Sequence, residues 1–212
     1  MKILKQYINE ALINKNSKIS LYKYYPENKI ELQNILEKLI KERGVDANLN
    51  DIDVSKIYDM EDLFFETPTL KSIRNIKINE WDVSQVLSME AMFCGCREFN
   101  CDLSKWNVKK VTDMTMMFYG CQNFEGIGLD NWKVSNVEDM FKMFYKCKKF
   151  NCNLSNWKLD KCQDISQMFS KCEKFEGKYL ENWNKFKLND KVKLFYNCKS
   201  VPSWYDKNIY DI

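Results

Sequence analysis

Nine cysteines are the side chains of this sequence best suited to chemistry, as metal ligands or as redox thiols. Five of them recur at intervals of 25, 26, 25 and 26 residues, namely Cys96, Cys121, Cys147, Cys172 and Cys198. A zinc site needs four ligands around one point, usually with Cys-x2–4-Cys pairs, whereas side chains aligned by a repeat form a line. Cysteine is also among the most frequently buried residue types. We therefore predict buried core thiols, with no metal site and no cofactor.

Catalytic chemistry is limited because the sequence contains no histidine. Ser-His-Asp and Cys-His nucleophile systems, zinc bound by histidine and haem bound by histidine are thereby excluded. The segment Gly126-Ile127-Gly128 lacks the third glycine of a dinucleotide-binding fingerprint. Carboxylates are plentiful, but none is forced next to another inside an apolar run. The sequence therefore predicts that the protein is not an enzyme.

The overall composition is that of a folded protein. The chain has 212 residues, 33 of them basic and 30 acidic, and 45% are hydrophobic, which supports a core in one domain or at most two. The isoelectric point of 8.2 lies below the value of about 9 that marks nucleic-acid-binding domains. No apolar run approaches the roughly 18 residues of a membrane helix, and Glu10 interrupts the N-terminal segment too early for a signal peptide. We therefore expect a cytoplasmic protein without membrane association, whose cysteines stay reduced.

A sequence repeat of 25 or 26 residues governs most of the chain. Tryptophan recurs at Trp81, Trp106, Trp132, Trp157 and Trp183, with the same intervals as the cysteines. Three further columns share the period: Phe93, Phe118, Phe144, Phe169 and Phe195; Phe99, Phe124, Phe150 and Phe175; Ile78, Leu103, Leu129, Leu154 and Leu180. A period of this length is typical of stacked repeats that bury one continuous core. Because each tryptophan is in phase with Leu and Val, we predict that the tryptophans are core residues rather than stacking platforms for sugars or bases.

The spacing of apolar residues within one unit predicts its secondary structure. Around Trp106, the pattern Leu-x-x-Trp-x-Val alternates like a short strand with one buried face. Over residues 111–118, apolar residues three and four positions apart indicate a short helix, and Thr112-Asp113 suits its first turn, where acidic groups meet the helix dipole. We therefore predict an α/β solenoid, a leucine-rich-repeat-like stack of about six strand–helix coils with parallel strands.

Both ends of the repeat region are expected to be covered. Residues 26–43 have helical apolar spacing and are followed by Gly44, which predicts an N-terminal helical cap. Residues 1–25 are predicted to form a further amphipathic helix and a linker. A degenerate unit precedes Trp81, and the unit that begins at Trp183 is out of phase, as expected of terminal repeats. The predicted organisation is N-terminal helices and cap at 1–49, the repeat solenoid at 50–198 and a C-terminal cap at 199–212.

The segment at residues 99–121 carries a family resemblance. It reads Phe-Asn-x-Asp-Leu-Ser-x-Trp-Asn-Val-x-x-Val-Thr-Asp-Met-x-x-Met-Phe-x-x-Cys, which closely resembles the BspA-like leucine-rich-repeat family, also known as the DUF285 repeat. The resemblance covers about residues 50–200 and implies a leucine-rich-repeat-like solenoid without enzymatic activity or catalytic residues. Many members resemble surface adhesins or lipoproteins. Residues 7–12 instead resemble leaderless members from phages and large viruses.

Residues that alternate with the buried positions are the candidate binding residues. If Trp and Val point inward, their neighbours form three outward rows, and stacked repeats usually bind through such an extended face. The candidate partner-binding residues are Glu80, Asp82, Lys105, Asn107, Lys109, Asn131, Lys133, Asn156, Lys158 and Asp160. A solvated surface with asparagine ladders between coils is the alternative interpretation of these rows.

These observations predict a non-catalytic protein–protein interaction module. We expect it to be encoded by a phage or mobile element and to act on a host protein, as an inhibitor, or on a virion protein. A nucleic-acid-associated protein is the second hypothesis, because Lys146, Lys148, Lys149, Lys171 and Lys174 supply some basic surface. A surface adhesin is the third hypothesis. The identity of the partner and the oligomeric state stay open.

Overall fold

A computed structural model describes residues 22–185 and 190–211 of the chain. Its helices are α1 (Lys29–Arg43), α2 (Pro68–Lys71) and α3 (Lys207–Tyr210), with 3-10 helices at Leu129–Asn131 and Gly177–Lys185. The other described residues are turns and irregular chain joined by isolated parallel β-bridges. None of the described helices combines the length and apolar character that crossing a membrane requires. Residues 1–21, which hold most of the predicted N-terminal amphipathic helix, lie outside the described residues.

Helix α1 forms where its sequence supplies both caps and one apolar stripe. The side chain of Asn28 accepts a hydrogen bond from the amide of Glu31 at 3.0 Å, which satisfies one of the free amides of the first turn. Gly44, at φ 85°, ends the helix, and its amide donates to the carbonyl of Ile40 at 2.9 Å. The buried side chains of α1 are Leu32, Leu36, Leu39 and Ile40. A helix is therefore present at the predicted N-terminal cap.

The predicted α/β solenoid of strand–helix coils is wrong. From residue 78 onward, the described parts of the repeats contain no α-helix and no strand longer than a single bridge residue, and residues 111–118 form a bridge and turns. The main reason is Met116, whose φ of 51° cannot occur inside a right-handed helix. The same position is left-handed in every repeat, at Asp62, Ala91, Met116, Lys142, Gln167 and Lys193. The apolar spacings of three and four residues therefore reflect successive turns.

Backbone hydrogen bonds explain why the repeats stack without forming a sheet. The amide of Phe118 donates to the carbonyl of Met143 in the next repeat at 2.9 Å. The preceding amide, that of Met117, donates back to the carbonyl of Met114 at 3.2 Å. In a sheet both sets of amides would reach neighbouring strands, whereas here every second amide closes a local turn. Neighbouring repeats are therefore joined by separate backbone hydrogen bonds and single-residue bridges, and not by a continuous β-ladder.

One line of bridges runs through all six repeats. It joins Asp59, Ser88, Asp113, Asp139, Asp164 and Asp190 in order, and each pairing is parallel. The Asp113 carboxylate accepts a hydrogen bond from the amide of Thr115 at 2.8 Å, and the other acidic members repeat this turn. The prediction that Thr112 and Asp113 open a helix is therefore wrong, because Asp113 closes a turn. The bridges hold successive repeats side by side in register.

The predicted core columns are confirmed by burial and by stacking. No tryptophan of the column is more than 4% exposed, and Trp81 and Trp106 stack with ring centroids 6.5 Å apart. The indole N–H of Trp106 donates to the carbonyl of Ile78 in the preceding repeat at 2.9 Å. Phe118 and Phe144 stack at 5.7 Å. These rings are buried by the neighbouring repeats, because no single repeat is large enough to cover them.

Different elements cover the two ends of the stack. Apolar side chains of α1 join the continuous core at the first repeat. At the other end, the indole N–H of Trp204 donates to the carbonyl of Leu180 at 2.8 Å, which is the bond that the tryptophan of a further repeat would make. Tyr205 packs edge-on against Phe195, with ring centroids 4.9 Å apart. The apolar core therefore continues from α1 to the C-terminal segment.

Candidate docking face

The ten residues predicted to bind a partner all lie at the surface. Their positions follow from the alternation around each tryptophan: Trp106 and Val108 are buried, whereas Lys105 and Asn107 are exposed. The alternation persists without a strand, because turns closed by the amides of Trp106 and Val111 hold this segment on both sides. The exposure of the predicted residues therefore does not depend on a β-sheet.

Four of the predicted residues line one groove of about 280 Å³. The lining residues are Lys109, Trp132, Lys133, Val134, Ser135, Asn156 and Lys158, and we call this site the lysine groove. Its three lysines come from three successive repeats, which lie about 4.8 Å apart. Trp132 and Val134 lie beneath them as a floor that is only 2% and 1% exposed. Stacking therefore brings together residues that are two repeats apart in the sequence.

The lysine groove is positively charged. Within residues 22–185 and 190–211, Lys109, Lys133 and Lys158 form no ion pair. Ammonium groups repel one another by only about 1 kcal/mol at 4 Å in water, so the surface tolerates them side by side. A carboxylate placed between them is attracted by several lysines at once. Since the lining includes neither a thiol nor a carboxylate, its chemistry is suited to binding an acidic group.

The remaining predicted residues lie outside the groove, and several already have partners. They are Glu80, Asp82, Lys105, Asn107, Asn131 and Asp160. Glu80 and Lys105 form an ion pair. The carboxylate of Asp82 accepts from the amide of Ser84 at 3.1 Å, and the side chain of Asn107 accepts from the amide two residues later at 3.3 Å. The oxygens of Asp82 and Asn107 therefore stabilise local turns.

Asparagines on this side of the stack connect neighbouring repeats. The side-chain amide of Asn136 donates to the carbonyl of Lys109 at 2.8 Å, and that of Asn182 donates to the carbonyl of Ser155 at 2.8 Å. These side chains bond to the backbone of the preceding repeat and not to one another. Only Asn182 belongs to one of the outward rows, and it bonds to backbone rather than to a second asparagine, so the alternative interpretation of the rows, a solvated surface with asparagine ladders, is supported only in part.

The cysteine column lies inside the core, where the sequence predicted it. Its fully buried members are Cys96, Cys121, Cys147 and Cys172, whereas Cys198 is partly buried. The thiol of Cys121 donates to the carbonyl of Phe93 in the preceding repeat at 3.0 Å. Burial raises the pKa of Cys121 well above its ordinary value and that of Cys198 to about 12. Because the thiolate is the reactive and metal-binding form, these thiols are structural, and no group of three or more metal-ligating side chains occurs among the described residues.

A second surface was not identified in the sequence, although the repeat frame contains its signal. Four of the six repeats have an aromatic residue directly after the buried phenylalanine, at Phe65, Tyr119, Tyr145 and Tyr196. We call this row, with the charged residues beside it, the aromatic face. Tyr119 and Tyr145 stack with ring centroids 4.9 Å apart, and the ammonium of Lys146 lies 5.9 Å and 5.3 Å from their centres. Aligning this position across the repeats would have revealed the row.

Comparison with known proteins gives one result. The sequence profile of a family described as "Mycoplasma protein of unknown function, DUF285" matches residues 32–127 and 124–209. Searches among curated proteins and among solved structures found no match. The matched segments include most of α1, all six repeats and most of the C-terminal segment, so the predicted resemblance to the DUF285 repeat is confirmed. The chain therefore belongs to the DUF285 family.

Proposed function

We propose that this chain is a non-catalytic protein-interaction module whose lysine groove binds an acidic surface of another protein. The observation that carries the proposal is the convergence of Lys109, Lys133 and Lys158 on one groove above the buried Trp132. These lysines have no ion-pair partner in the part of the chain that the structure describes. A partner with carboxylates at a similar spacing would supply the missing counter-charges.

The rigidity of the stack favours binding at this face. Trp132 stacks on Trp106 at 6.4 Å and on Trp157 at 6.5 Å, which fixes the backbone that carries the groove lysines. A surface that is already ordered loses less conformational entropy on binding than a flexible loop. The groove therefore presents three lysines on an ordered backbone.

Affinity capture with a charge-reversed variant tests the proposal. We expect the full chain to retain a partner from lysate of its native host, and K109E/K133E/K158E to lose it, as read by quantitative mass spectrometry. The matched control is K142E/K146E/K171E, which reverses three lysines on the aromatic face. Thermal unfolding of both variants should match that of the original chain, because all six lysines lie outside the core. Equal capture by the groove variant and the original chain would contradict the proposal.

The captured protein also decides the biological role. A host enzyme among the proteins lost by the groove variant would support an inhibitor, and a capsid or tail protein would support a virion component. Recovery of the chain from the cell exterior would support the adhesin hypothesis instead. A gel shift of an oligonucleotide at about 0.15 M salt, abolished in the groove variant, would assign the groove to nucleic acid.

A further inference from the structure

The aromatic face changes the sign of its charge along the stack. Backbone bonds keep its positions aligned, since the amide of Gly120 donates to the carbonyl of Tyr145 at 2.7 Å and equivalent bonds join other repeats. The row of left-handed residues begins with Asp62 and ends with Lys193. The face therefore has an acidic end at the first repeats and a basic end at the last ones.

The acidic end lies on the first two repeats. It consists of Glu61, Asp62, Glu66 and Glu90. Burial, with the negative charge of Glu66 as the next cause, raises the pKa of Asp62 above its ordinary value. The nearby cations are Lys29, which pairs with Asp59 at 2.9 Å, and Lys71, which also lowers the pKa of Asp62. The carboxylates outnumber these cations, so the end stays negative.

The basic end lies on the last three repeats. It consists of Lys142, Lys146, Lys171 and Lys193. Lys171 and Lys193 line a cavity of about 360 Å³ together with the rings of Tyr145 and Tyr196. Asp211 is the one carboxylate that lines this cavity. The basic end therefore offers a positively charged, partly aromatic recess.

The two ends cannot neutralise each other within one chain. Asp62 and Lys142 are three repeats apart and Asp62 and Lys193 are five repeats apart, which corresponds to about 14 Å and 24 Å at a spacing of 4.8 Å. Both distances exceed the screening length of about 8 Å at physiological ionic strength. Neither end is therefore neutralised by the other within one chain.

We propose that the aromatic face binds the same face of a second copy of this chain, with the two stacks antiparallel. A two-fold axis perpendicular to the stack pairs the first repeat of each copy with the sixth of the other and the second with the fifth, so Asp62 faces Lys193 and Glu90 faces Lys171. Lys142 and Lys146, on the fourth repeat, lie beside the axis opposite the third repeat. Phe65, which is 39% exposed at the acidic end and has the ammonium of Lys71 3.6 Å above its ring centre, then lies opposite the recess beside Tyr196 of the other copy. Tyr119 and Tyr145 lie at the centre, where aromatic residues are enriched in protein interfaces.

A second copy fits this face better than a nucleic acid strand does. The rings of Tyr119 and Tyr145 are inclined by only 12° and cover each other, so a base cannot insert between them as in single-strand binding proteins. A strand that followed the row would also meet the carboxylates of Asp62 and Glu66. An antiparallel copy of the chain matches both ends of the charge gradient.

The size of the face indicates a weak, salt-sensitive dimer. Six repeats at a spacing of about 4.8 Å make a row of only about 25–30 Å, so the contact area falls below the roughly 800 Å² per partner of standard interfaces. Much of the attraction is between exposed charges, which salt screens. We therefore expect association at low ionic strength and dissociation at high ionic strength.

Sedimentation equilibrium of the full chain tests this proposal. At about 0.01 M salt, where the screening length is ~30 Å, the average mass should approach twice the 25.4 kDa of one chain, and at about 1 M salt it should return to that of one chain. K142E/K146E/K171E should stay monomeric at both salt concentrations. D62K/E66K/E90K should also stay monomeric; Asp62→Lys introduces the residue type found at the equivalent positions 142 and 193.

Mixing the two variants is the decisive measurement. Their faces are predominantly acidic and predominantly basic, so an equimolar mixture should form heterodimers although neither variant associates alone. The control K109E/K133E/K158E should dimerise as the original chain does, which separates this face from the lysine groove. A monomer at low salt, a mixture that fails to associate while both variants unfold at the original temperature, or species larger than a dimer would overturn the proposal. A gel shift of a single-stranded oligonucleotide that only K142E/K146E/K171E abolishes, with the chain still monomeric, would overturn it as well.

Discussion

The middle repeats and the last repeat share one sequence frame but not the same contacts. In the middle, the indole N–H of Trp132 donates to the carbonyl of Leu103 at 3.2 Å. In the last repeat, the indole N–H of Trp183 is buried and has no hydrogen-bond partner among the described residues. Trp183 lies within a 3-10 helix (Gly177–Lys185), whereas Trp132 has an extended backbone at φ −64° and ψ 140°. The indole N–H of a tryptophan in this column therefore has its hydrogen-bond acceptor only where the backbone keeps the conformation of the middle repeats.

The methionine column shows the same difference. It is buried and apolar at Met89, Met114, Met140 and Ile165. In the last repeat the position is Lys191, which is only partly buried and lies 5.0 Å from the ring centre of Tyr210. A repeat in the middle is supported by two neighbours, whereas the last has one neighbour and a short C-terminal segment. The last repeat therefore tolerates residues that the middle repeats would not.

Removing one ring of the phenylalanine column should give the largest contrast between the two regions. Phe144 stacks on Phe118 at 5.7 Å and on Phe169 at 5.6 Å, both in its own column. Phe195 stacks on one ring of that column, Phe169, and on its other side it meets Trp204 and Tyr205 edge-on. We expect Phe144→Ala to lower the free energy of unfolding by about 4–5 kcal/mol and Phe195→Ala by about 3 kcal/mol. Urea denaturation of both variants measures the difference. Equal losses would show that the last repeat is packed as firmly as the middle ones.

Replacing tryptophan with phenylalanine should sharpen the contrast further. Trp132→Phe removes one of the two donors to the carbonyl of Leu103, which keeps the amide of Trp106, whereas Trp183→Phe removes a buried N–H that has no partner in the described residues. Because an unsatisfied buried polar group costs about 1–3 kcal/mol, Trp183→Phe should be less destabilising than Trp132→Phe by about 1–2 kcal/mol. The two midpoints of chemical denaturation test this. A larger loss at residue 183 would mean that its N–H is satisfied in solution.

Thiol labelling should give the smallest contrast. Cys121 is fully buried, whereas Cys198 is partly exposed and has a pKa that burial raises to about 12. We expect an alkylating reagent at about pH 8 to modify Cys198 before Cys121, with a rate that rises about tenfold per pH unit as the thiolate fraction grows. Peptide mass spectrometry resolves the two sites. In denaturant the rates should become equal; equal rates in the native state would contradict the different burial.

The sequence was sufficient to predict which residues are buried. Tryptophan, phenylalanine and cysteine columns with one period require that equivalent residues meet across repeats, and the structure confirms this at Trp106, Phe118 and Cys121. It was not sufficient to predict secondary structure. Met116 and Lys142 have left-handed backbones, but neither residue type signals a positive φ as glycine does. Apolar residues three and four positions apart therefore predicted helices where the chain forms turns.

The candidate sites were likewise predicted only in part from the sequence. The alternation around each tryptophan predicted that Lys109, Lys133 and Lys158 are exposed, but not that they share a groove with Trp132. The aromatic face was missed because its residues vary in type from repeat to repeat, and only their alignment brings Tyr119 onto Tyr145. Grooves and stacked surface rings depend on distances across repeats, which a one-dimensional pattern does not contain.

The sequence by itself determined the period, the membership of the core and the outward rows, because burying a shared apolar core imposes one spacing on every repeat. The tertiary structure alone decided that the repeats are built from turns and single bridges, and which outward residues meet. Over residues 114–121, alternate amides bond within their own repeat and to the next one, as at Met117 and Phe118. That partition is set by left-handed backbone angles, which the stacked neighbours stabilise and the residue types do not reveal.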